Sequence, residues 1–169
     1  MKTKEGLKAV EEAIAYLEKV TPLAPLKFNE HLSRASKEHV DDTGPLGLMQ
    51  HESSQNKNVK ERIANYGKFV SCYGENLSFH CETPEEVLCQ LIIDDGVPER
   101  GHRLNIFNSE FKVFGCYSGP HKDYEFMTCM DFAAGFVKLG EDDPIEKHID
   151  IFLKEEIEFE MPNDVRSWK

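Results

Sequence analysis

The sequence predicts an α+β domain folded as a layered sandwich, on three observations. Helical periods of apolar residues fill the first half of the chain. A complete helix-start signal stands at Thr83-Pro84-Glu85-Glu86. Two aromatic-rich runs of strand character follow, at 111–118 and 124–132, joined by Gly119-Pro120-His121-Lys122-Asp123 as a hairpin. Helices first and antiparallel strands later is the order of an α+β chain. With 169 residues the chain makes one domain. It buries roughly 70% of its unfolded surface, enough to fold without metal or disulfide staples.

Each element has a local cause. Leu7, Val10, Ile14 and Leu17 recur at helical spacing, which predicts an amphipathic helix over 4–20 ended by Pro22 and Pro25. Asn29 caps a second helix with Leu32, Ala35, Ser36 and His39 as its inner stripe. Asp42-Thr43-Gly44-Pro45 stops it, and 43–56 reads as a loop. A short helix over 57–66 carries Val59, Ile63 and Tyr66 inward, with Gly67 as its stop. Thr83 as N-cap, Pro84 in the first turn and Glu86 at the third position form a capping box. That helix buries Val87, Leu88, Leu91 and Ile92 and ends at Gly96 and Pro98. From Lys138 the chain becomes an acidic extension. There Asp143-Pro144 and Glu146 start a short helix bearing Ile149, Phe152 and Leu153, and Ile157, Phe159 and Met161 alternate like an edge strand. The expected organisation is a domain over 1–137 and a partly ordered extension over 138–169.

Twenty Lys and Arg against 31 Asp and Glu give a net charge of −11. That balance argues against a nucleic-acid backbone or an anionic membrane as principal partner, and suits a cation or a basic protein surface. No window is apolar enough to span a bilayer. The charged first helix contains no secretory h-region, and five cysteines leave at least one thiol unpaired, which predicts a cytosolic protein. Cys116 and Cys129 fall on the two predicted strands, where they could face each other.

Standard catalytic signatures are missing: no HExxH, GxSxG, phosphate loop or EF-hand loop occurs. What remains is polar residues in awkward places. Asp94 and Asp95 stand at the C-terminal end of a helix, where the macrodipole disfavours carboxylates. A compensating cation is expected, either Arg100 and Arg103 in an ion pair or a bound metal. His102 follows that helix, Glu75 follows a short apolar run, and His51 lies in the loop after the second helix. Taken singly, each also suits a solvent-facing turn. His39, on an apolar stripe, suits a satisfied core or cleft-wall histidine. Spacing alone does not bring these groups together.

Gly74-Glu75-Asn76-Leu77 and Gly101-His102-Arg103-Leu104-Asn105-Ile106 resemble two hallmark motifs of the CAP superfamily, also called the SCP domain. Further matches run in order. Ala35 with His39-Val40-Asp41-Asp42 is similar to the family's AxxHxxD helix, and Gln50-His51-Glu52-Ser53-Ser54 to its histidine loop. Glu61-Arg62-Ile63 with Tyr66-Gly67 resembles its ERI step, and Phe132-Ala133-Ala134-Gly135-Phe136 its closing strand. The run from Asp94 to Arg103 resembles a microbial eukaryotic subgroup, and coverage is about residues 7–137.

The resemblance implies a three-layer α-β-α sandwich with a mainly antiparallel central sheet and a large cleft. Two histidines and two acids of that cleft hold a divalent cation in many members. His51, Glu75 and His102 take three of the positions. The fourth departs from the animal and plant pattern, which has Glu in a Trp-Tyr-x-Glu run: here Asp94 or Asp95 must serve, one methylene shorter. Asn105 matches the residue that braces the backbone beside the second histidine. Two imidazoles and two carboxylates make a site suited to Zn²⁺. Without metal, the acids raise the histidine pKa values. The function so implied is a non-catalytic binding module presenting grooves to a protein, sterol or lipid partner, as a monomer. The alternatives are a metal- or His/Glu-assisted hydrolase of peptidase type, and a purely structural role for the four residues. The resemblance also implies secretion, against the cytosolic expectation.

Overall fold

The computed structural model describes residues 4–140. The expectations placed on the extension beyond them, its short helix and its edge strand, lie outside the described residues. Helix α1 (Leu7–Leu17) leads to a two-residue strand β1 (Lys27–Phe28) and then to α2 (Glu30–Thr43). A short 3-10 turn at Gly44–Leu46, a loop and α3 (Val59–Ile63) follow. Strand β2 (Gly67–Phe79), helices α4 (Pro84–Ile93) and α5 (Gly101–Ile106), and strands β3 (Val113–His121) and β4 (Glu125–Lys138) complete the α+β chain.

The predicted caps form as read. Asn29 Oδ1 accepts from His31 and Leu32 N–H at the start of α2, and Thr83 and Glu86 close a capping box on α4. A second capping box, Asn58 with Glu61, starts α3. Three expectations change. Gly67 opens β2 rather than merely stopping α3. Leu88 is exposed on α4. The apolar stripe of α1 points outward, with Leu7 77%, Ile14 53% and Leu17 43% exposed, whereas Ala9 and Ala13 are buried. The small residues let α1 approach closely, and its acids fix that face: Glu5 pairs with Arg100, and Glu12 with Arg100 and Arg103.

The four strands lie in the order β1-β3-β4-β2, so β2 is an edge. β1 runs parallel to β3, and the other two pairings are antiparallel. Because side chains alternate along a strand, the register sorts the two faces. Glu75, Asp131 and Gly115 align across one face, and Asn76, Met130 and Cys116 across the other. α2 covers the first face, where Leu32, Ala35, Ile63, Val113, Ala133 and Phe136 pack together. α4 and α5 lie over the second, with Val87, Leu91, Ile106 and Met130 in contact. The same alternation separates Cys116 from Cys129: Cys129 aligns with Tyr117, not Cys116. All five cysteines are free.

α2 crosses β3 at Gly115. A Cβ there would stand 2.2 Å from the backbone nitrogen of Ser33 and 2.4 Å from the carbonyl carbon of Leu32. Gly115→Ala should therefore cost about 1–3 kcal/mol, read as a lower thermal midpoint. An unchanged midpoint would mean that α2 does not press on the sheet at this point.

Candidate functional site

The positions singled out in the sequence form two histidine–acid pairs. Glu75 sits on the edge strand β2, and its Oε1 lies 2.7 Å from His51 Nδ1. His51 arrives from the loop after the 3-10 turn. That loop is held by Asp42, whose carboxylate accepts from Ser54 N–H and Oγ–H. The Glu75 side chain is 2% exposed and the His51 side chain 50%. The second pair repeats the arrangement: Asp94 Oδ1 lies 2.7 Å from His102 Nδ1, with side chains 3% and 30% exposed. Each buried acid therefore grips one ring nitrogen of a half-exposed imidazole, and no described residue bonds either Nε2.

The backbone explains the second pair. Asp94 ends α4 in the left-handed region, φ 53°, which Asp tolerates better than most residues. The turn carries its carboxylate to the start of α5, where Oδ2 accepts His102 N–H at 2.9 Å. An acid that looked misplaced at one helix end is thus favourably placed at the next. Asp95 goes elsewhere, accepting from the backbone N–H groups of Lys4 at 2.6 Å and Glu5 at 2.9 Å. The expected compensation by Arg100 and Arg103 does not occur through their charges on these carboxylates. Both arginines pair with α1 acids, and Arg100 reaches only the backbone carbonyl of Asp94. Asn76 and Asn105 tie the pairs together. Asn76 Nδ2 donates to the His102 carbonyl at 2.9 Å, and Asn105 Nδ2 to Asn76 Oδ1 at 2.8 Å and to the Glu75 carbonyl at 3.4 Å.

Beneath His51 lies a buried network that the sequence did not reveal as one. Arg62, 1% exposed, donates to Glu75 and, at 3.3 Å, to Asp131. Ser36 Oγ donates to Asp131 Oδ2 at 2.7 Å, and the Cys129 thiol to Glu75 Oε2 at 3.2 Å. Burial pushes Glu75 up, but the His51 hydrogen bond and the Arg62 charge outweigh it and hold Glu75 below its ordinary range. His51 is raised, mainly by its bond to Glu75 and against its own burial. Burial, reinforced by the Glu75 charge, pushes Asp131 up to about 7. Burial and both acids hold the Cys129 thiol far above its usual range. His39, buried as expected, is lowered by burial and by Arg62, and its Nε2 donates to the Gln50 carbonyl at 3.0 Å. No sequence signal marked Asp131: it joins Glu75 only through the β2–β4 register, which sets two acids on one buried face where they require a cation.

Among the described residues, one set of three metal-capable side chains has ligand atoms within 4.8 Å of one another, namely Glu75, Cys129 and Asp131. No three of His51, Glu75, Asp94, Asp95 and His102 do so. The buried trio already has its cation in Arg62, and its thiol is held protonated. Beside the second pair opens a cleft of 780 Å³. Met49, Leu77, Phe79, Leu91 and Tyr124 line it together with Asp94 and His102.

The family model described as the cysteine-rich secretory protein family, CAP, matches residues 13–131. The uncharacterized protein YkwD of Bacillus subtilis is 28% identical over 93 residues, 55% of this chain and 34% of its own length. The match thus spans about a third of that curated relative. Among solved structures, an outer surface protein of Borrelia burgdorferi has 21% identity and a TM-score of 0.57, over 79% of this chain and 95% of its own. An extracellular protein containing an SCP domain, from Bacillus anthracis, has 20% identity and a TM-score of 0.52, over 66% of this chain and 34% of its own. At these identities the two structures speak for the fold alone. No described helix is long and apolar enough to cross a membrane.

Proposed function

The chain belongs to the cysteine-rich secretory protein (CAP) family, and on that footing we propose that it is an exported, monomeric, non-catalytic binding module. Its helices are the outer layers of an α-β-α sandwich with a mainly antiparallel centre. Its cleft holds a divalent metal, zinc by preference, and presents a groove to a protein, sterol or lipid partner. One observation carries the metal half of this reading: two buried acids each fix Nδ1 of a half-exposed histidine, leaving Nε2 unpartnered. Buried carboxylates that orient imidazoles in this way are the usual outer support of a histidine metal site. The residues fit the ion, with His51 and His102 as its nitrogen ligands and Glu75 and Asp94 as the groups that aim them. Bound zinc would supply a Lewis-acid centre at the rim of the cleft.

The hydrolase reading has one observation in its favour, the 2.7 Å bond by which Glu75 orients His51 as a general base would be oriented. Against it, the thiol that touches Glu75 is fully buried and protonated. The test is zinc stoichiometry, measured by elemental analysis after dialysis against the ion. His51→Ala and His102→Ala should each lose bound zinc, and Asp94→Asn should weaken it about 10–100-fold. Wild-type stoichiometry in both histidine variants would remove the metal from the proposal.

A further inference from the structure

The open edge of β2 carries polar backbone that the fold uses only in part. His80 N–H donates to the Phe126 carbonyl at 2.9 Å, so the even-numbered residues at this end of β2 face β4. Antiparallel ladders alternate, so Glu75, Leu77 and Phe79 turn their N–H and C=O outward. Two of the three are met by side-chain amides. Asn105 Nδ2 donates to the Glu75 carbonyl. Gln90 Nε2 donates to the Phe79 carbonyl at 3.0 Å, while its Oε1 accepts Phe79 N–H at 3.3 Å. The Gln90 carboxamide thus imitates the backbone of a neighbouring strand. Leu77, between them, has no partner for either group on that edge among the described residues, and it lines the cleft.

We propose that the cleft receives an extended peptide whose backbone pairs with Leu77, displacing the Gln90 and Asn105 amides that occupy the strand position on either side of it, and whose side chains alternate between apolar and basic. The proposal deepens the binding-module reading and rests on its assignment of this cleft as the binding face. A peptide backbone supplies both the acceptor for Leu77 N–H and the donor for its carbonyl, which is how strands are added to sheet edges. The walls set the side-chain pattern. Successive residues of an added strand point to opposite sides. Phe79, with the Tyr124 ring beside it, lies on the face that α2 covers, and Asp94 and Asp95 follow α4, which lies over the other face. Asp94 is buried and bonded to His102, so Asp95 is the lining acid that a basic side chain meets, and the chain carries −11 overall.

The probe is an acetylated and amidated hexapeptide alternating valine and lysine, titrated into the full chain and followed by amide NMR. Leu77→Pro would delete the N–H, but proline inside a strand endangers folding, so the decisive substitution is made on the peptide. Binding should slow exchange of the Leu77 amide. Methylating one central peptide nitrogen should weaken affinity about ten-fold, and replacing lysine by glutamate should weaken it by at least as much. If the peptide shifts Asp94 and His102 but leaves Leu77 exchange unchanged, and N-methylation has no effect, strand pairing is overturned and the binding-module reading stands. If the peptide shifts nothing while zinc still shifts His102, the inference falls and the metal half of that reading survives. If neither perturbs the cleft, both are lost.

Discussion

Replacing Arg62 with alanine is expected to destabilise the protein by about 3–5 kcal/mol. The guanidinium is almost fully buried and serves Glu75, Asp131 and, at 3.4 Å, the carbonyl of His51. Removing it leaves two carboxylates in the interior with no cation, and the cost is their desolvation rather than the loss of a contact. The deficit should shrink on acidification, because without Arg62 both carboxyls take up protons more readily in the folded state than in the unfolded chain. Lysine should rescue only part of the loss, since a compact ammonium lacks the planar fork that reaches several acceptors at once. Urea denaturation at pH 5 and pH 8 checks both points. A loss below about 1 kcal/mol would show that the network is wet and screened rather than buried.

This network marks the boundary of what the sequence made legible. The helices that start on strong caps, Asn29 for α2 and Thr83 for α4, could be placed because capping is a local exchange between a side chain and the next three amides. Strand β2 was not, although it is 13 residues long. Its register slips between Val70 and Tyr73, and a bulge breaks the period-two signal on which strand recognition depends. The outward stripe of α1 shows a different limit. Periodicity found the apolar face, but the choice of the inner face fell to Ala9 and Ala13 and to ion pairs about 90 residues apart in the chain. At the site, no spacing rule joins His51 to Glu75. The motifs of the CAP resemblance named both residues, and the fold sets them 2.7 Å apart. Choosing Asp94 over Asp95 as the partner of His102 depended on one left-handed residue, which reverses the chain between α4 and α5.

Asp131 gives the strongest pH dependence expected of this protein. Its carboxyl moves from an ordinary 3.8 up to about 7, through burial first and the neighbouring Glu75 charge second. The folded state therefore holds this proton more tightly than the unfolded chain does. The resulting stabilisation is complete below about pH 4, erodes as pH rises, and is gone above about pH 7. Its full size is on the order of 4 kcal/mol. Glu75 works in the opposite direction: its lowered pKa stabilises the fold above its ordinary 4.5 and loses that contribution in acid. The two act in opposite directions and in different windows, Asp131 from about pH 4 to pH 7 and Glu75 below its ordinary 4.5, so the wild-type profile alone assigns neither. Asp131→Asn separates them, because asparagine keeps an oxygen for the Ser36 hydroxyl but has no proton to lose near neutrality. Relative to wild type, the variant should gain stability steadily from pH 4 to pH 8. It should then show a steeper acid loss that belongs to Glu75. A wild-type-minus-variant difference that stays flat across this range would mean that Asp131 ionises like a solvated acid, and Arg62 would then be neutralising Asp131 as completely as it does Glu75.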